Sequence, residues 1–292
     1  MKKILITGLN SYLGNSFETY LSQWPEKYQV DKISLRDDTW QKEDFSGYDA
    51  VYHVAGIAHS DRGRISSEKA AMYYRVNTDL TIDVASKAKE EGVKQFVFMS
   101  SAIVYGDSAP IGKHRVITAQ TPVSPSNSYG DSKVKAENGI LPMQSKEFQV
   151  AVVRAPMIYG RGSKGNYPLL SKLAKSLPVF PYVENQRSMI YIENILEFIR
   201  QLIENEEHGI FWPQNQVYTN TSELVEMIAE ANGRKIYLIK GFSWMLKILS
   251  HLTGLVNKAF GSFCYDQGLS RYKHNYCIKN LEESIKETEG IL

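Results

Sequence analysis

A short buried strand, a glycine turn and an amphipathic helix follow one another at the start of the chain. Residues 3–7 are apolar and β-branched without alternation, as expected of a strand inside a parallel sheet. The turn runs from Gly8 to Gly14, and apolar side chains then recur at helical spacing, at Leu13, Phe17, Leu21 and Trp24. In this order Gly8 permits a tight turn, Gly14 lets the helix pack closely on the strand, and the helix N-terminus attracts a pyrophosphate. The opening therefore predicts a dinucleotide-binding fold.

Further buried strands alternate with helices along the chain. The strands are predicted at 30–35, 50–56, 95–99 and 149–154, and the principal helices at 67–91 and 127–138. This alternation indicates the α/β class, a Rossmann doubly wound parallel sheet with a smaller α/β substrate-binding lobe. A glycine-rich run at 160–165 predicts the lobe boundary. We expect an NAD(P)-binding domain at 1–165, with a returning segment near 186–212, and a smaller lobe at 166–292.

Composition excludes several classes of protein. The chain has 292 residues, 43% of them apolar and 23% charged, and its net charge of +2 gives no reason to expect a nucleic-acid partner. The two cysteines, Cys264 and Cys277, form neither a zinc motif nor a disulfide framework, so no metal is expected. No apolar run is long enough to span a bilayer, and the one after Met1 is too short for a signal peptide. We therefore expect a cytoplasmic protein.

Tyr129 and Lys133 stand four residues apart on a predicted helix, and thus one turn apart on one face. An ammonium beside a phenol favours the phenolate, so we expect Lys133 to lower the pKa of Tyr129 from its usual value of about 10. A tyrosine tuned in this way can exchange a proton near neutral pH. Upstream, Ser101 ends an apolar strand, where ligands bind in open α/β sheets. Ser100 is the alternative if the register differs.

These features together resemble the extended short-chain dehydrogenase/reductase family, which comprises sugar-nucleotide epimerases, dehydratases and reductases. The resemblance implies that Tyr129 is the general acid/base, that Lys133 lowers its pKa and holds the nicotinamide ribose, and that Ser101 orients the C4 oxygen of the sugar. Ser11 stands where the family turn has its middle glycine. The resemblance places the cofactor against Gly8, Asn10, Ser11, Tyr12, Leu13, Gly14, Arg36, Val54, Ala55, Gly56, Asn77, Ser100, Tyr129, Lys133 and Pro156. Asn77 is equally compatible with a purely structural role.

The same resemblance implies where a nucleotide sugar binds. Asn166 and Arg187 correspond to family residues that hold the diphosphate, although Arg187 could also be an ordinary surface arginine. Ser101 and Tyr129 would contact the sugar itself. Met157 stands where many epimerases of the family carry asparagine, and Ala102-Ile103 replaces the acidic pair of the dehydratases. The resemblance therefore disfavours dehydration and implies hydride transfer at C4 of a nucleotide-linked hexose, with a UDP-sugar expected.

Arg36 bears on the choice of cofactor. The residue just past the second strand faces the adenosine ribose, where an arginine attracts the 2′-phosphate of NADP and an acid selects NAD. Arg36 is expected at that position, whereas a register slip would place Asp37 there. We therefore favour NADP, with NAD as the alternative. This choice favours a UDP-4-keto-sugar reductase over a 4-epimerase, and both over a catalytically silent NAD(P)-binding regulator.

Residues 242–263 carry an apolar stripe at helical spacing, opposite Lys247, Ser250, Asn257 and Lys258. A helix packed on the smaller lobe is the favoured interpretation, and docking to a partner or a membrane surface is the alternative. Such an insertion resembles the C4-ketoreductase branch of the family. The resemblance also implies a homodimer formed by the helices predicted at 67–91 and 127–138.

Overall fold

The computed structural model describes residues 1–57, 65–242, 246 and 254–292. In chain order its strands are β1 (Lys2–Thr7), β2 (Tyr28–Ile33), β3 (Ala50–His53), β4 (Gln95–Ser101), β5 (Val116–Ile117), β6 (Gln149–Ala155), β7 (Met157–Tyr159), β8 (Val179–Pro181), β9 (Met189–Tyr191), β10 (Gly209–Phe211), β11 (Tyr237–Ile239) and β12 (Cys264–Tyr265). Its α-helices are α1 (Tyr12–Leu21), α2 (Ser67–Tyr74), α3 (Leu80–Glu90), α4 (Ser128–Ile140), α5 (Tyr167–Ser176), α6 (Ile192–Glu204), α7 (Thr221–Ala231), α8 (Gly254–Phe260) and α9 (Leu281–Glu289).

The chain forms two compact units, and each is discontinuous in sequence. The first unit contains Met1–Gly106, Pro122–Ala155 and Leu196–Trp212. The second contains Asp107–Thr121, Pro156–Ile195 and Pro213–Leu292. Residues 107–121 and 156–165, which were predicted to belong to the dinucleotide domain, therefore lie in the second unit. The chain returns to the first unit within α6, at Leu196.

The first unit is built on a six-stranded parallel sheet with the order β10-β6-β4-β3-β1-β2. This is the mixed α/β, doubly wound Rossmann-type architecture predicted from the sequence. The strand order changes direction at β1, which lies between β2 and β3. In open α/β sheets such a switch point opens a crevice at the carboxyl ends of the strands. The core beside the sheet is apolar and includes Phe96, Phe98, Phe148, Val150 and Val152.

Two predicted boundaries in the first unit change in the structure. β2 ends at Ile33 rather than at residue 35, because the Ile33 carbonyl accepts a hydrogen bond from the Gly8 amide, where β1 gives way to its turn. The helix predicted at 67–91 is divided into α2 and α3 by a π-helical turn at Arg75–Asp79. A continuous helix at 67–91 would carry Met72 and Val84 along one apolar face. The π-helical turn breaks the spacing of that face. Met72, predicted for the apolar face, is therefore 44% exposed, whereas Val84 is fully buried.

The second unit contains three two-stranded parallel pairs, β7–β9, β8–β11 and β5–β12. Helices α5 and α7 pack on each other, and α9 packs on α7. A capping box, formed by Asn280 and Glu283, begins α9. This unit is the smaller α/β lobe expected from the sequence.

The apolar stripe predicted at 242–263 is only partly within the described residues. Residues 243–245 and 247–253 lie outside them. Within the remainder, α8 ends at Phe260, and Phe263 makes bridge contacts before β12 begins. In the part of the chain that the structure describes, no helix has both the length and the apolar character needed to cross a membrane.

Candidate functional site

The glycine turn after β1 has the geometry of a phosphate cradle. Gly8 has a φ of +99°, and a Cβ there would lie 3.1 Å from the backbone of Ala55, so only glycine fits. Ser11 caps α1, because its hydroxyl accepts a 2.8 Å hydrogen bond from the Gly14 amide. A Cβ at Gly14 would lie 2.9 Å from the Ile6 side chain, which confirms the predicted close packing of helix on strand. The turn and the N-terminus of α1 thus fit a pyrophosphate.

The remaining residues of this turn differ in exposure. Asn10 is exposed, whereas Tyr12 and Leu13 are half-buried at the start of α1. Burial raises the pKa of Tyr12 to about 12, so its phenol stays protonated. These side chains border the cradle without filling it.

Asn77 joins the loop after β3 to α4. It is fully buried in the π-helical turn, and its amide oxygen accepts a 2.8 Å hydrogen bond from the Ile57 amide. Its side-chain nitrogen donates to the Ile57 carbonyl and the Ser132 hydroxyl, both at 3.2 Å. A Cβ at Gly56 would lie 3.0 Å from the Asn77 amide oxygen and 3.6 Å from Lys133 Nζ. The structure therefore brings Gly56, Asn77 and Lys133 together, with Val54 and Ala55 half-buried just upstream.

His53 is a structural residue, as its position beside a strand end indicates. Its ring nitrogens lie 2.9 Å from the Thr7 hydroxyl and 3.0 Å from the Thr81 hydroxyl. The ring is fully buried beside Phe96 and Phe98. Burial, and then the charge of Lys133, lower its pKa to about 3, so it is neutral at physiological pH.

Ser101, Tyr129 and Lys133 meet at the carboxyl end of β4. The side chains of Ser101 and Tyr129 are hydrogen-bonded to each other. Asn127 caps α4 by accepting a 2.9 Å bond from the Gly130 amide, which sets the start of the helix. Lys133 Nζ is buried, donates to the Met99 carbonyl at 3.0 Å and lies 4.5 Å from the centre of the Phe98 ring. Two elements thus position the three predicted catalytic side chains.

The electrostatics of this trio differ from the sequence-based expectation. Burial raises the pKa of Tyr129 above its ordinary value, and the hydrogen bond with Ser101 opposes the rise. Tyr129 as a whole is half-buried. Because its hydroxyl is desolvated, the hydroxyl is the enclosed part of the side chain. Burial lowers the pKa of Lys133 to about 8, against the attraction of Glu137. The predicted lowering of the Tyr129 pKa is therefore wrong, because desolvation outweighs the hydrogen bond with Ser101.

Ser100 faces a different set of partners from Ser101. Its hydroxyl donates to the buried carboxylate of Glu137, which in turn pairs with Arg154 at 2.6 Å. Successive residues of a strand point to opposite faces, so the register directs Ser101 to Tyr129 and Ser100 away from it. Glu137 and Arg154 were missed in the sequence. The spacing of Tyr129, Lys133 and Glu137, each four residues apart on α4, was the available signal.

Arg36 is exposed in the loop after β2. It is the third residue past the strand, not the first, because β2 ends at Ile33. Asp37 is engaged locally, since its carboxylate caps the 3₁₀ helix at Asp38–Lys42 by accepting hydrogen bonds from Thr39. These bonds lower the pKa of Asp37.

Two of the four predicted substrate residues, Asn166 and Arg187, border a pocket within the second unit, whereas Ser101 and Tyr129 belong to the first unit. Asn166 and Arg187 line a cavity of about 10 Å³ together with Met157, Leu170, Thr219 and Thr221, among others. Arg187 and Thr219 exchange two backbone hydrogen bonds of 3.0 Å, so their side chains lie on one face. The Arg187 guanidinium donates to the carbonyls of Ala259 at 3.2 Å and Gly261 at 3.4 Å. Burial lowers its pKa to about 10, so it remains a cation.

Asn166 and Pro156, predicted to bind substrate and cofactor respectively, lie in the second unit. Asn166 precedes α5 without capping it through its side chain. Pro156 is buried at the start of the segment that opens the second unit.

Comparison with known proteins gives relatives along the whole chain. UDP-glucose 4-epimerase of Vibrio cholerae is 26% identical over 98% of this chain and 94% of its own length. N-acetyl-alpha-D-glucosaminyl-diphospho-ditrans,octacis-undecaprenol 4-epimerase of Escherichia coli O157:H7 is 29% identical over 73% of this chain and 63% of its own length.

Solved structures share the fold. dTDP-4-dehydrorhamnose reductase from Bacillus anthracis, in complex with NADP, superimposes with a TM-score of 0.70 at 17% identity, covering 99% of this chain and 98% of that one. UDP-glucuronic acid 4-epimerase from Bacillus cereus, in complex with NAD, gives 0.71 at 15% identity, covering 99% and 97%. The model of the NAD dependent epimerase/dehydratase family matches residues 4–212. The chain therefore belongs to the NAD-dependent epimerase/dehydratase family.

Proposed function

We propose that this enzyme is an NADPH-dependent reductase that acts at C4 of a nucleotide-linked 4-keto-hexose, with UDP as the favoured nucleotide. The observation that carries the proposal is the state of Tyr129. Its hydroxyl is enclosed, bonded to Ser101, and held protonated by burial. A protonated phenol is a proton donor, which is what reduction of a ketone to an alcohol requires.

The residues divide the reaction as follows. A bound nicotinamide cofactor supplies the hydride that reaches C4. Tyr129 donates its proton to the C4 oxygen, and Ser101 hydrogen-bonds that oxygen and orients it. Lys133, when protonated, stabilises the phenolate that Tyr129 leaves behind.

Arg36 supports the choice of NADPH over NADH. Its guanidinium is exposed in the loop after β2, while the neighbouring carboxylate of Asp37 is committed to the 3₁₀ helix. An exposed guanidinium suits a 2′-phosphate, and the Asp37 carboxylate is turned to its own hydrogen bonds with Thr39.

The cofactor test compares oxidation of NADPH and NADH with a UDP-4-keto-6-deoxy-hexose as acceptor. We expect the wild-type enzyme to favour NADPH and Arg36→Ala to lose about tenfold in kcat/KM for NADPH, with NADH little changed. Asp37→Ala is the matched control and should keep the NADPH preference. Equal use of both cofactors by wild type would contradict the proposal.

A UDP-sugar 4-epimerase is the second candidate, favoured by the two sequence relatives described above, which are both named 4-epimerases. An epimerase retains its NAD and recycles its own hydride, so the denatured protein would release NAD. Interconversion of UDP-glucose and UDP-galactose without net oxidation of NADPH would favour this candidate over the reductase.

A test of the role of Tyr129 distinguishes an enzyme from a catalytically silent NAD(P)-binding regulator. Tyr129→Phe removes the proton donor but keeps the ring, so we expect a loss of at least about 100-fold in kcat with cofactor binding retained. Tyr73, whose ring lies 5.8 Å from that of Tyr129, offers the control variant Tyr73→Phe. Cofactor binding without turnover of any nucleotide sugar would instead support the regulator.

Asn166 and Arg187 are proposed to hold the nucleotide diphosphate in the second unit. Arg187 is a partly desolvated cation, and a guanidinium fork matches phosphate oxygens. The cavity of about 10 Å³ has room for about one water, so binding a diphosphate requires Arg187 to leave the carbonyls of Ala259 and Gly261.

A further inference from the structure

The catalytic helix carries a third polar residue in line with Tyr129 and Lys133. Glu137 follows Lys133 by one turn of α4 and is 1% exposed. We propose that Glu137 is a positioning residue: its carboxylate, hydrogen-bonded to Arg154 and one helical turn from Lys133, is the counter-charge of the Lys133 ammonium. The proposal rests on the function above only in taking Lys133 as part of the catalytic group.

Hydrogen bonds surround the Glu137 carboxylate. Arg154 Nε lies 3.2 Å and 3.1 Å from its two oxygens, and Arg154 Nη2 lies 2.6 Å from Oε2. The Ser100 hydroxyl donates to Oε1. These hydrogen bonds satisfy both oxygens of a carboxylate that is withdrawn from solvent.

Arg154 is itself held in place from its other side. Its Nη1 donates to the Tyr105 hydroxyl at 2.6 Å, and Trp212 Nε1 donates to the same hydroxyl at 2.7 Å. The guanidinium also lies over the Tyr105 ring, 5.1 Å from its centre. The Glu137–Arg154 pair is therefore a rigid assembly that joins α4, β4 and β6.

The surroundings of Lys133 leave Glu137 as its counter-charge. β4 contributes the Met99 carbonyl and the Phe98 ring, and the π-helical turn contributes Asn77, so these elements supply no anion. β3 contributes His53, which is neutral, and β6 contributes Arg154, a cation. α4 contributes Tyr129, protonated by burial, and Glu137. Among the described residues, Glu137 is the group whose charge raises the pKa of Lys133.

A carboxylate that is paired with Arg154 and lies one helical turn from Lys133 predicts effects of opposite sign. Glu137→Gln keeps the shape of the side chain but leaves Lys133 near an uncompensated Arg154, so the pKa of Lys133 falls. Arg154→Gln leaves the whole carboxylate charge to Lys133, so the pKa of Lys133 rises. General loosening of the fold would instead raise the pKa of Lys133 in both variants, toward the value of an ordinary lysine.

The experiment is an NMR titration of the protein carrying ¹³C-labelled lysine, with the Lys133 signal assigned by its loss in Lys133→Met. From a wild-type pKa of about 8, we expect a fall of roughly 1 to 2 in Glu137→Gln and a rise in Arg154→Gln. Glu137→Asp and Arg154→Lys retain the charges and should stay near wild type. Glu197→Gln, which disrupts the partly buried Glu197–Arg200 pair on α6, should leave the value unchanged.

Activity gives a second readout. Glu137→Gln should lose more kcat at pH 8 than at pH 6, with little change in KM, because its Lys133 is then neutral at the higher pH. An unchanged Lys133 pKa in Glu137→Gln, or shifts of the same sign in both variants, would overturn the proposal. If Glu137→Gln does not fold, a rise of the Lys133 pKa in Arg154→Gln that Arg154→Lys does not share supports the proposal, and a fall, no change, or an equal rise in Arg154→Lys overturns it. The titration needs no substrate, so it stands even if the assigned reaction is wrong.

Discussion

Lys133 illustrates at the residue scale how a buried ionisable group reduces stability. Its pKa lies at about 8 in the folded protein and at 10.5 in the unfolded chain. The unfolded chain therefore binds this proton more tightly, so the associated loss of stability develops as the pH falls from 10.5 to 8 and is complete below 8. Lys133→Met should raise the free energy of unfolding at pH 7 by about 1–3 kcal/mol while abolishing activity. Urea unfolding measures this, with the exposed Lys135→Met as a near-neutral control. A destabilised Lys133→Met would show that the charge is fully compensated.

His53 acts in the same way at lower pH. Its pKa is about 3 when folded and 6.5 when unfolded, so stability is complete above pH 6.5 and declines as the pH falls toward 3. The free energy of unfolding then falls by up to about 1.4 kcal/mol per pH unit. His53→Asn keeps a hydrogen-bonding group without this titration. Between pH 6.5 and 5, the slope of unfolding free energy against pH should therefore be smaller in the variant, and equal slopes would contradict this assignment.

The start of α4 is the element on which the site depends. A Cβ at Gly130 would lie 2.9 Å from the Ile103 carbonyl oxygen and 3.1 Å from Pro125, so Gly130→Ala must displace the first turn of the helix. Tyr129 would move relative to Ser101. We expect kcat to fall on the order of 10- to 100-fold with native circular dichroism. The exposed Asn138→Ala, two turns further along, should be neutral, and full activity of Gly130→Ala would disprove this role of the close contact.

At the scale of the whole molecule we propose a homodimer formed by α2, α3 and α4. Met72 on α2 is a large apolar side chain that is 44% exposed, as expected of a residue covered by a partner subunit. Met72→Glu should raise the dimer dissociation constant measured by analytical ultracentrifugation, because it places a carboxylate in the apolar part of the contact. Val116→Glu, at a similarly exposed position in the second unit, should not. A monomeric wild-type protein at micromolar concentration would refute the dimer.

Local sequence patterns were sufficient for the fold class and for the local geometry of the glycine turn and of α4. Uninterrupted apolar runs predicted β1, β4 and β6, because strands covered on both faces have no polar side to alternate with. Gly8 and Gly14 predicted the tight turn and the close helix packing, since only glycine satisfies both. The four-residue spacing of Tyr129 and Lys133 predicted that they share a helical face. Each of these properties depends on residues close together in the chain.

Tertiary structure alone decided the electrostatics and the partners. The choice between Ser100 and Ser101 depended on β4 register, and the π-helical turn that divides the helix predicted at 67–91 brings Asn77 against Ser132 on α4. The direction of the Tyr129 pKa depended on how deeply its hydroxyl is enclosed. The pairing of Glu137 with Arg154 joins residues 17 positions apart on different elements. Burial and long-range hydrogen bonds are properties of the packed molecule, so no local pattern contains them.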